Sequence, residues 1–248
     1  MQDNQHQQFI QTPILNILRD TVTSCRAIGD GIDTQPLCEY ILQTTFLKMT
    51  GASEQKLKCI CWEMATNDYE YRYQMLTDKM GECSNYKDKQ KIFKEMQDVI
   101  RRIAPDQINE PAFGEQYKEN LVNDINSNIV SVVDKSLIGV VKEKDFLFFK
   151  AGPNIINKDS FAIYNNGKIS FLGNDLQDFY NNVVYRHRNR YAHNLRSYQE
   201  NLPSLSGLKD GNYEKENYFT MLSILILMDE LYMKLYSIYT NCLREVKW

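Results

Sequence analysis

The sequence predicts a mainly α-helical fold. Over most of the chain, and most strongly in the stretch 218–244, apolar residues recur at the three- and four-residue spacing of amphipathic helices. Strand-like patterns occur only within 143–173, and two or three short strands cannot organise a chain of 248 residues. Because 43% of the residues are hydrophobic, the chain can bury a sizeable core. We therefore expect a helical bundle that carries a small β-hairpin insertion.

Five amphipathic helices are predicted in the first 110 residues. The first begins at Thr12-Pro13, an N-cap residue followed by a proline at the first helical position, and ends before Gly29. Gly51 is expected to end the second helix, and Ser53 to cap the third. Each helix has one apolar face, so the five must pack against one another or against a partner. The predicted spans are 12–28, 36–51, 53–64, 68–80 and 87–102.

The rest of the chain combines helices with the strand-like segments. An Asn-Gly pair at 166–167 lies between two strand-like runs and predicts a tight hairpin turn. We divide the chain into a helical region, 1–110, and a second region, 111–248, with the β insertion at about 143–173. The first region either forms its own domain or belongs to the same bundle. The elements predicted in the second region are helices at 117–133, from about 175, and at 218–244, a strand at 145–150, a hairpin of 161–164 with 168–172, and a loop at 196–216.

Charge and cysteine content narrow the class of protein. A net charge of −3 argues against nucleic-acid binding through bulk charge, so such binding would need a local basic patch. Of the six cysteines only Cys59 and Cys61 lie close together, and with no second Cys or His pair nearby this is not zinc-site spacing. We expect the cysteines to be reduced and buried, and we expect no metal ion. The chain also lacks the glycine-rich motifs of nucleotide sites, so no cofactor is expected.

Neither a targeting segment nor a membrane segment is predicted. The first ten residues lack the basic start and apolar centre of a signal peptide. The longest apolar run, 221–228, is interrupted by Ser223 and is too short to span a bilayer. The sequence thus favours a soluble cytoplasmic protein.

One stretch is strongly basic for an acidic chain. Residues 186–194 read RHRNRYAHN, which places three arginines and two of the three histidines within eight residues. Residues 180–198 contain no acidic side chain, so the positive charge of this segment is expected to be uncompensated. The four arginines concerned are Arg186, Arg188, Arg190 and Arg196.

The geometry of a helix brings three polar residues of this stretch together. Asn189 and His193 lie one turn apart on the same face, and Arg188 lies about 140° around the helix from His193, within reach of the same pocket edge. An imidazole that titrates near neutrality can move protons, and a guanidinium can stabilise the charge on a pentacovalent phosphate. The stretch therefore predicts a metal-independent RNA-cleaving site with Arg188, Asn189 and His193 as its catalytic residues. The alternative is a solvated basic helix face with a structural histidine.

The segment 188–193, RNRYAH, resembles the R-x4-6-H motif of the HEPN superfamily in its common form R-N-x-x-x-H. The resemblance covers about 175–245. It implies an up-and-down helical bundle that pairs as a twofold homodimer, in which the motif helices of the two copies form one cleft. It further implies cleavage of RNA to a 2′,3′-cyclic phosphate, with the roles of the motif arginine and histidine carried by Arg188 and His193. The superfamily occurs in toxin–antitoxin modules and abortive-infection systems, so an antitoxin or another defence-system protein is a candidate partner.

Further residues of the stretch are candidates for substrate contacts. Arg186, Arg190, Asn194 and Arg196 are expected to contact RNA phosphates or to be simply solvated. Tyr191 is a candidate for stacking on a base, although packing in the core or in a dimer would also account for it.

His187 is a candidate for a second proton carrier, but it lies about 100° from Arg188 on the helix and is expected to be simply exposed to solvent. Two other functions remain open for the chain as a whole. One is a non-catalytic HEPN-like subunit that binds RNA, a nucleotide or a partner protein, and the other is a helical interaction scaffold.

Overall fold

We analysed the protein in a computed structural model. It is mainly helical, with one two-stranded antiparallel sheet among the residues it describes. The described residues are 5–29, 31–77, 81–108, 110–152, 155–165, 168–193 and 212–246. In chain order the helices are α1 (Gln5–Gln11), α2 (Leu15–Ser24), α3 (Gln35–Asn67), α4 (Tyr69–Thr77), α5 (Tyr86–Ile103), α6 (Glu115–Val133), α7 (Leu137–Val141), α8 (Glu143–Lys150), α9 (Asn174–Phe179), α10 (Arg186–His193) and α11 (Tyr218–Val246). The strands are β1 (Phe161–Asn165) and β2 (Lys168–Leu172), which lie between α8 and α9.

The helix predicted at 12–28 is present as α2, which is shorter than predicted, and it is preceded by a short helix that was not predicted, α1. Thr12 and Pro13 lie between α1 and α2, where Pro13 has no backbone N–H to donate. The N–H of Ile14 is instead satisfied by the carboxylate of Asp229 on α11, 2.9 Å away. α1 buries Ile10 in the core, so this segment is ordered although its composition is polar.

The predicted break at Gly51 and Ser53 is wrong, because α3 runs without interruption through both residues. The buried face continues across the expected boundary, from Phe46 and Met49 on one side to Leu57 on the other. Burial of this continuous face outweighs the low helix propensity of one exposed glycine, which costs about 1 kcal/mol. The resulting 33-residue helix contacts α1, α2, α4, α5, α7, α10 and α11.

The predicted strand at 145–150 is also wrong, since these residues belong to α8. Phe146 and Phe149 are three residues apart and therefore point to the same side of a helix, where both rings pack on Phe219 of α11. Acidic Glu143 in the first turn and basic Lys150 in the last complement the helix dipole. A run of aromatic residues that looks like a strand in isolation is thus used as a helix face.

The hairpin is confirmed, and a glutamine attaches it to the bundle. In the antiparallel pair, Ile163 faces Ser170 and Tyr164 faces Ile169. The buried side-chain amide of Gln97 on α5 donates to the carbonyl of Ile169 (2.9 Å) and accepts from its N–H (3.1 Å), as a neighbouring strand would. The predicted turn residues 166–167 lie outside the described residues.

The last helix, α11, is the centre of the core and packs against α3, α5, α6 and α8. Its residue Asp229 accepts hydrogen bonds from Lys56 of α3 (2.7 Å) and from the Ile14 N–H, and the two charged side chains are only 3% and 4% exposed. This buried ion pair fixes how α3, α11 and the start of α2 meet. All six cysteines are free thiols and all are buried, as the sequence predicts.

Gly51 offers a direct test of the continuity of α3. A Cβ at this exposed position would meet no atom within 4 Å, so Gly51→Ala should stabilise the protein by about 0.5–1 kcal/mol through higher helix propensity. Urea denaturation measures the change.

Gly139→Ala is the matched control. Here the added Cβ would lie 2.6 Å from the carbonyl oxygen of Val133, so the same substitution should destabilise the protein. Loss of stability in Gly51→Ala would indicate that the helix is broken at residue 51.

The buried ion pair makes a second stability prediction. Asp229→Asn keeps an oxygen for the Ile14 N–H but leaves the Lys56 ammonium buried beside a neutral group, which should cost about 3–5 kcal/mol. Adding Lys56→Met removes the unpaired charge and should restore much of that loss, as measured by chemical denaturation. If the double variant were no more stable than Asp229→Asn alone, the charges would not be coupled as described.

Candidate functional site

The basic stretch lies on α10, at the end of a continuous helical segment from 174 to 193. The middle of this segment, Tyr180–Tyr185, has π-helical hydrogen bonding, a rare form that is often found near functional sites. Tyr180 and Val184 are buried, and the Tyr180 hydroxyl donates to the carbonyl of Ser84 at 3.1 Å. These contacts attach the segment to the bundle, so that α10 packs against α3.

Arg188 is held at the edge of the bundle by two acceptors. Its Nη2 donates to the Oε2 atom of Glu54 on α3 at 3.1 Å, and its Nη1 donates to the Oδ1 atom of Asn189 at 3.2 Å. The arginine side chain is 24% exposed and the glutamate side chain 13% exposed. The expectation that all the charge on this stretch is uncompensated is therefore wrong for Arg188.

A second cation, Lys89, interacts electrostatically with Glu54. Lys89 on α5 is buried, and its ammonium group donates to the carbonyl of Cys83 at 2.7 Å. Burial lowers the pKa of Lys89 to about 8, and the charge of Arg188 acts in the same direction, whereas Glu54 opposes the shift. Glu54 thus forms an ion pair with Arg188 of α10 and also acts electrostatically on Lys89 of α5.

His187 is half-buried against a cluster of aromatic rings, so the expectation that it is exposed to solvent is wrong. Its ring makes edge contacts with Phe46 (5.0 Å between centroids), Tyr191 (4.4 Å) and Tyr218 (5.1 Å). Its Nε2 atom is buried, without a hydrogen-bond partner among the described residues. Burial lowers the pKa of His187 to about 4, with a further contribution from the charge of Arg190, so the imidazole is neutral at pH 7.

Tyr191, the candidate for base stacking, is 6% exposed and packs in this cluster. Its hydroxyl accepts a hydrogen bond from Gln43 of α3 at 3.1 Å. Burial also raises the pKa of the neighbouring Tyr218, and the nearby Tyr191 adds to that shift. In this structure Tyr191 therefore takes the core-packing role, and its ring is not available to a base.

The other predicted site residues divide into exposed and undescribed ones. Arg186 and Arg190 are exposed on α10. The charge of Arg190 also reaches Glu216, where it opposes a rise in the carboxyl pKa that burial causes. His193 is the last residue of α10, but its side chain lies outside the described part of the structure. Asn194 and Arg196 lie outside it altogether.

The structure thus brings Arg188 and Asn189 together and adds two residues that the sequence did not suggest. Glu54 is 134 positions away from Arg188 in the chain, and no local motif marks either Glu54 or Lys89. Within the described ranges, no group of three or more His, Cys, Asp or Glu side chains could hold a metal ion. Two cavities of about 500 and 480 Å³ flank the end of α2, and residues of α10 line neither.

We compared the chain with protein-family models, with curated proteins and with solved structures, and none of the three comparisons gave a match. Among the helices that the structure describes, none is both long and apolar enough to cross a bilayer. Function must therefore be inferred from the residues of α10 and their surroundings.

The half-buried His187 predicts a pH dependence of stability. The folded protein binds no proton at His187 between its pKa of about 4 and the unfolded value of about 6.5, whereas the unfolded chain does. The contribution of the neutral His187 to the free energy of unfolding is fully present above about pH 6.5. It is lost as the pH falls towards 4, by up to about 3 kcal/mol. His187→Phe should remove that loss while changing stability little at pH 7.5.

Denaturant titrations of both proteins between pH 4.5 and 7.5 measure the difference. Other buried acids titrate in the same range, so only the difference between the two proteins reports on His187. Parallel curves for the two proteins would contradict the assignment of a neutral buried imidazole.

Proposed function

We propose that this protein is a metal-independent endoribonuclease of bacterial defence or toxin type, which cuts RNA in a cleft that two copies form at α10. The observation that carries the proposal is the placement of Arg188. Its guanidinium is fixed by Glu54 and Asn189 but remains partly exposed, on the same short helix that ends at His193. The resemblance of 188–193 to the HEPN motif supports the same function.

The proposed reaction needs only a proton carrier and a fixed positive charge. An imidazole of His193 takes the proton of the ribose 2′-hydroxyl as the oxygen attacks the adjacent phosphorus, and Arg188 stabilises the pentacovalent phosphate. The 5′-oxygen leaves with a proton from a second imidazole, which the twofold-related copy supplies. The products are a 2′,3′-cyclic phosphate and a 5′-hydroxyl end, and no water is consumed.

The exposed arginines of α10 supply local attraction for RNA in a chain of negative net charge. Arg186 and Arg190 extend the positive charge of the helix beyond Arg188. We propose that they contact phosphates that flank the cleaved bond, together with Asn194 and Arg196. Such contacts make binding sensitive to salt.

One observation favours a second function. The charge of Arg188 is compensated by Glu54, which weakens its attraction for a phosphate. The alternative is therefore a non-catalytic HEPN-like subunit that binds RNA, a nucleotide or a partner protein. An enzyme cuts RNA in the presence of EDTA, whereas a binding subunit only changes the mobility of the RNA.

The catalytic role of His193 is tested by His193→Ala. The purified variant should keep the fold and oligomeric state of the wild type, as judged by circular dichroism and light scattering. Its rate of RNA cleavage in EDTA should fall at least about 100-fold, since general acid–base groups typically contribute that much or more.

His6→Ala is the matched control because it makes the same substitution on α1, for which no catalytic role is proposed. It should cleave at the wild-type rate. Unchanged cleavage by His193→Ala would exclude His193 as the proton carrier, and no cleavage by the wild type would exclude the nuclease.

A further inference from the structure

We infer that Glu54 is a positioning residue of the ribonuclease site: its carboxylate orients the Arg188 guanidinium towards the cleaved phosphate and lowers the affinity for RNA in doing so. The inference rests on the proposed function and adds to it a residue from a distant part of the chain.

The hydrogen bonds of Arg188 show how the orientation is set. A guanidinium is planar and has five N–H donors in a rigid fork, so two acceptors on different nitrogens determine its plane. Glu54 takes a hydrogen of Nη2 and Asn189 takes a hydrogen of Nη1. The other donors, including that of Nε, have no acceptor among the described residues and are available to a phosphate.

Glu54 is itself held in place, which a positioning residue requires. It lies on α3, whose register is fixed by the buried pair of Lys56 and Asp229. Its carboxylate is only 13% exposed and lies in the electrostatic field of the buried Lys89 as well as of Arg188.

The same carboxylate has an opposite effect on binding. RNA phosphates that approach Arg188 also approach the negative charge of Glu54, and like charges repel in a poorly solvated site. A carboxylate at this position therefore weakens RNA binding while it improves the orientation of the arginine. Removing its charge should separate these two effects.

The test is Glu54→Gln, which retains the size of the side chain and removes its charge. We expect the single-turnover rate of RNA cleavage to fall by about 100-fold, as when a catalytic group is misplaced by about 1 Å. RNA affinity should rise, and the slope of log K against log salt should become steeper by about 0.7, the value for one additional phosphate charge on a single strand.

Glu82→Gln is the matched control. Glu82 is 84% exposed and pairs with Lys58, so this substitution removes the same charge from a neighbouring part of the surface without touching Arg188. It should leave both the cleavage rate and the affinity unchanged. Glu54→Asp retains the negative charge but shortens the side chain, so it should slow cleavage without the gain in affinity. This variant also provides the test if Glu54→Gln does not fold.

The outcomes separate the two proposals. If the wild type cleaves RNA and the Glu54 variants cleave at the wild-type rate, this inference is wrong and the proposed function stands. If the Glu54 variants lose cleavage rate, RNA affinity and stability together, Glu54 has a structural role only, and the inference is also wrong. If the wild type fails to cleave RNA, the proposed function is wrong and this inference fails with it.

Discussion

The buried ion pair between Lys56 and Asp229 determines how the largest elements of this protein meet. A charged pair in the core is stable only while both partners are present, so α3 and α11 have one favoured register. The second oxygen of Asp229 binds the Ile14 N–H and brings the start of α2 to the same point. Since Glu54 lies on α3 two residues before Lys56, the register of α3 against α11 also determines where the carboxylate of Glu54 contacts Arg188.

Other polar groups inside the bundle also fix the relative positions of neighbouring elements through hydrogen bonds. The Gln97 amide binds both backbone groups of Ile169 and so fixes the hairpin on α5. The Tyr180 hydroxyl binds the carbonyl of Ser84 and fixes the middle of the helical segment that leads to α10. Apolar packing alone tolerates sliding of one helix along another. A buried polar group that loses its hydrogen-bond partner, by contrast, destabilises the protein by about 1–3 kcal/mol. These polar contacts therefore give α10 a defined position relative to α3 and α5.

The two faces of α10 are consequently very different. The inner face holds the imidazole of His187 among aromatic rings, and with a pKa of about 4 and a buried Nε2 atom this histidine is too weakly basic to carry a proton near neutral pH. The outer face holds exposed arginines, and Arg188 lies at the boundary between the two. This division leaves His193, at the helix end, as the proton carrier in the proposed mechanism and gives Glu54 control over the arginine.

Periodicity in the sequence determines the helical class, the hairpin and the helical state of the basic stretch, because apolar spacing and turn residues act over a few neighbouring positions. It does not determine that α3 continues past Gly51 or that 145–150 is a helix, since both depend on which surfaces are buried against α11. The site divides in the same way. The spacing of Arg188, Asn189 and His193 is a local property and can be read from the chain, whereas the Glu54 contact joins residues 134 positions apart. The burial of His187 likewise requires Phe46 and Tyr218 from two other parts of the chain. Only the tertiary structure decides such contacts, because they arise from how whole helices pack and not from the preferences of the residues in one helix.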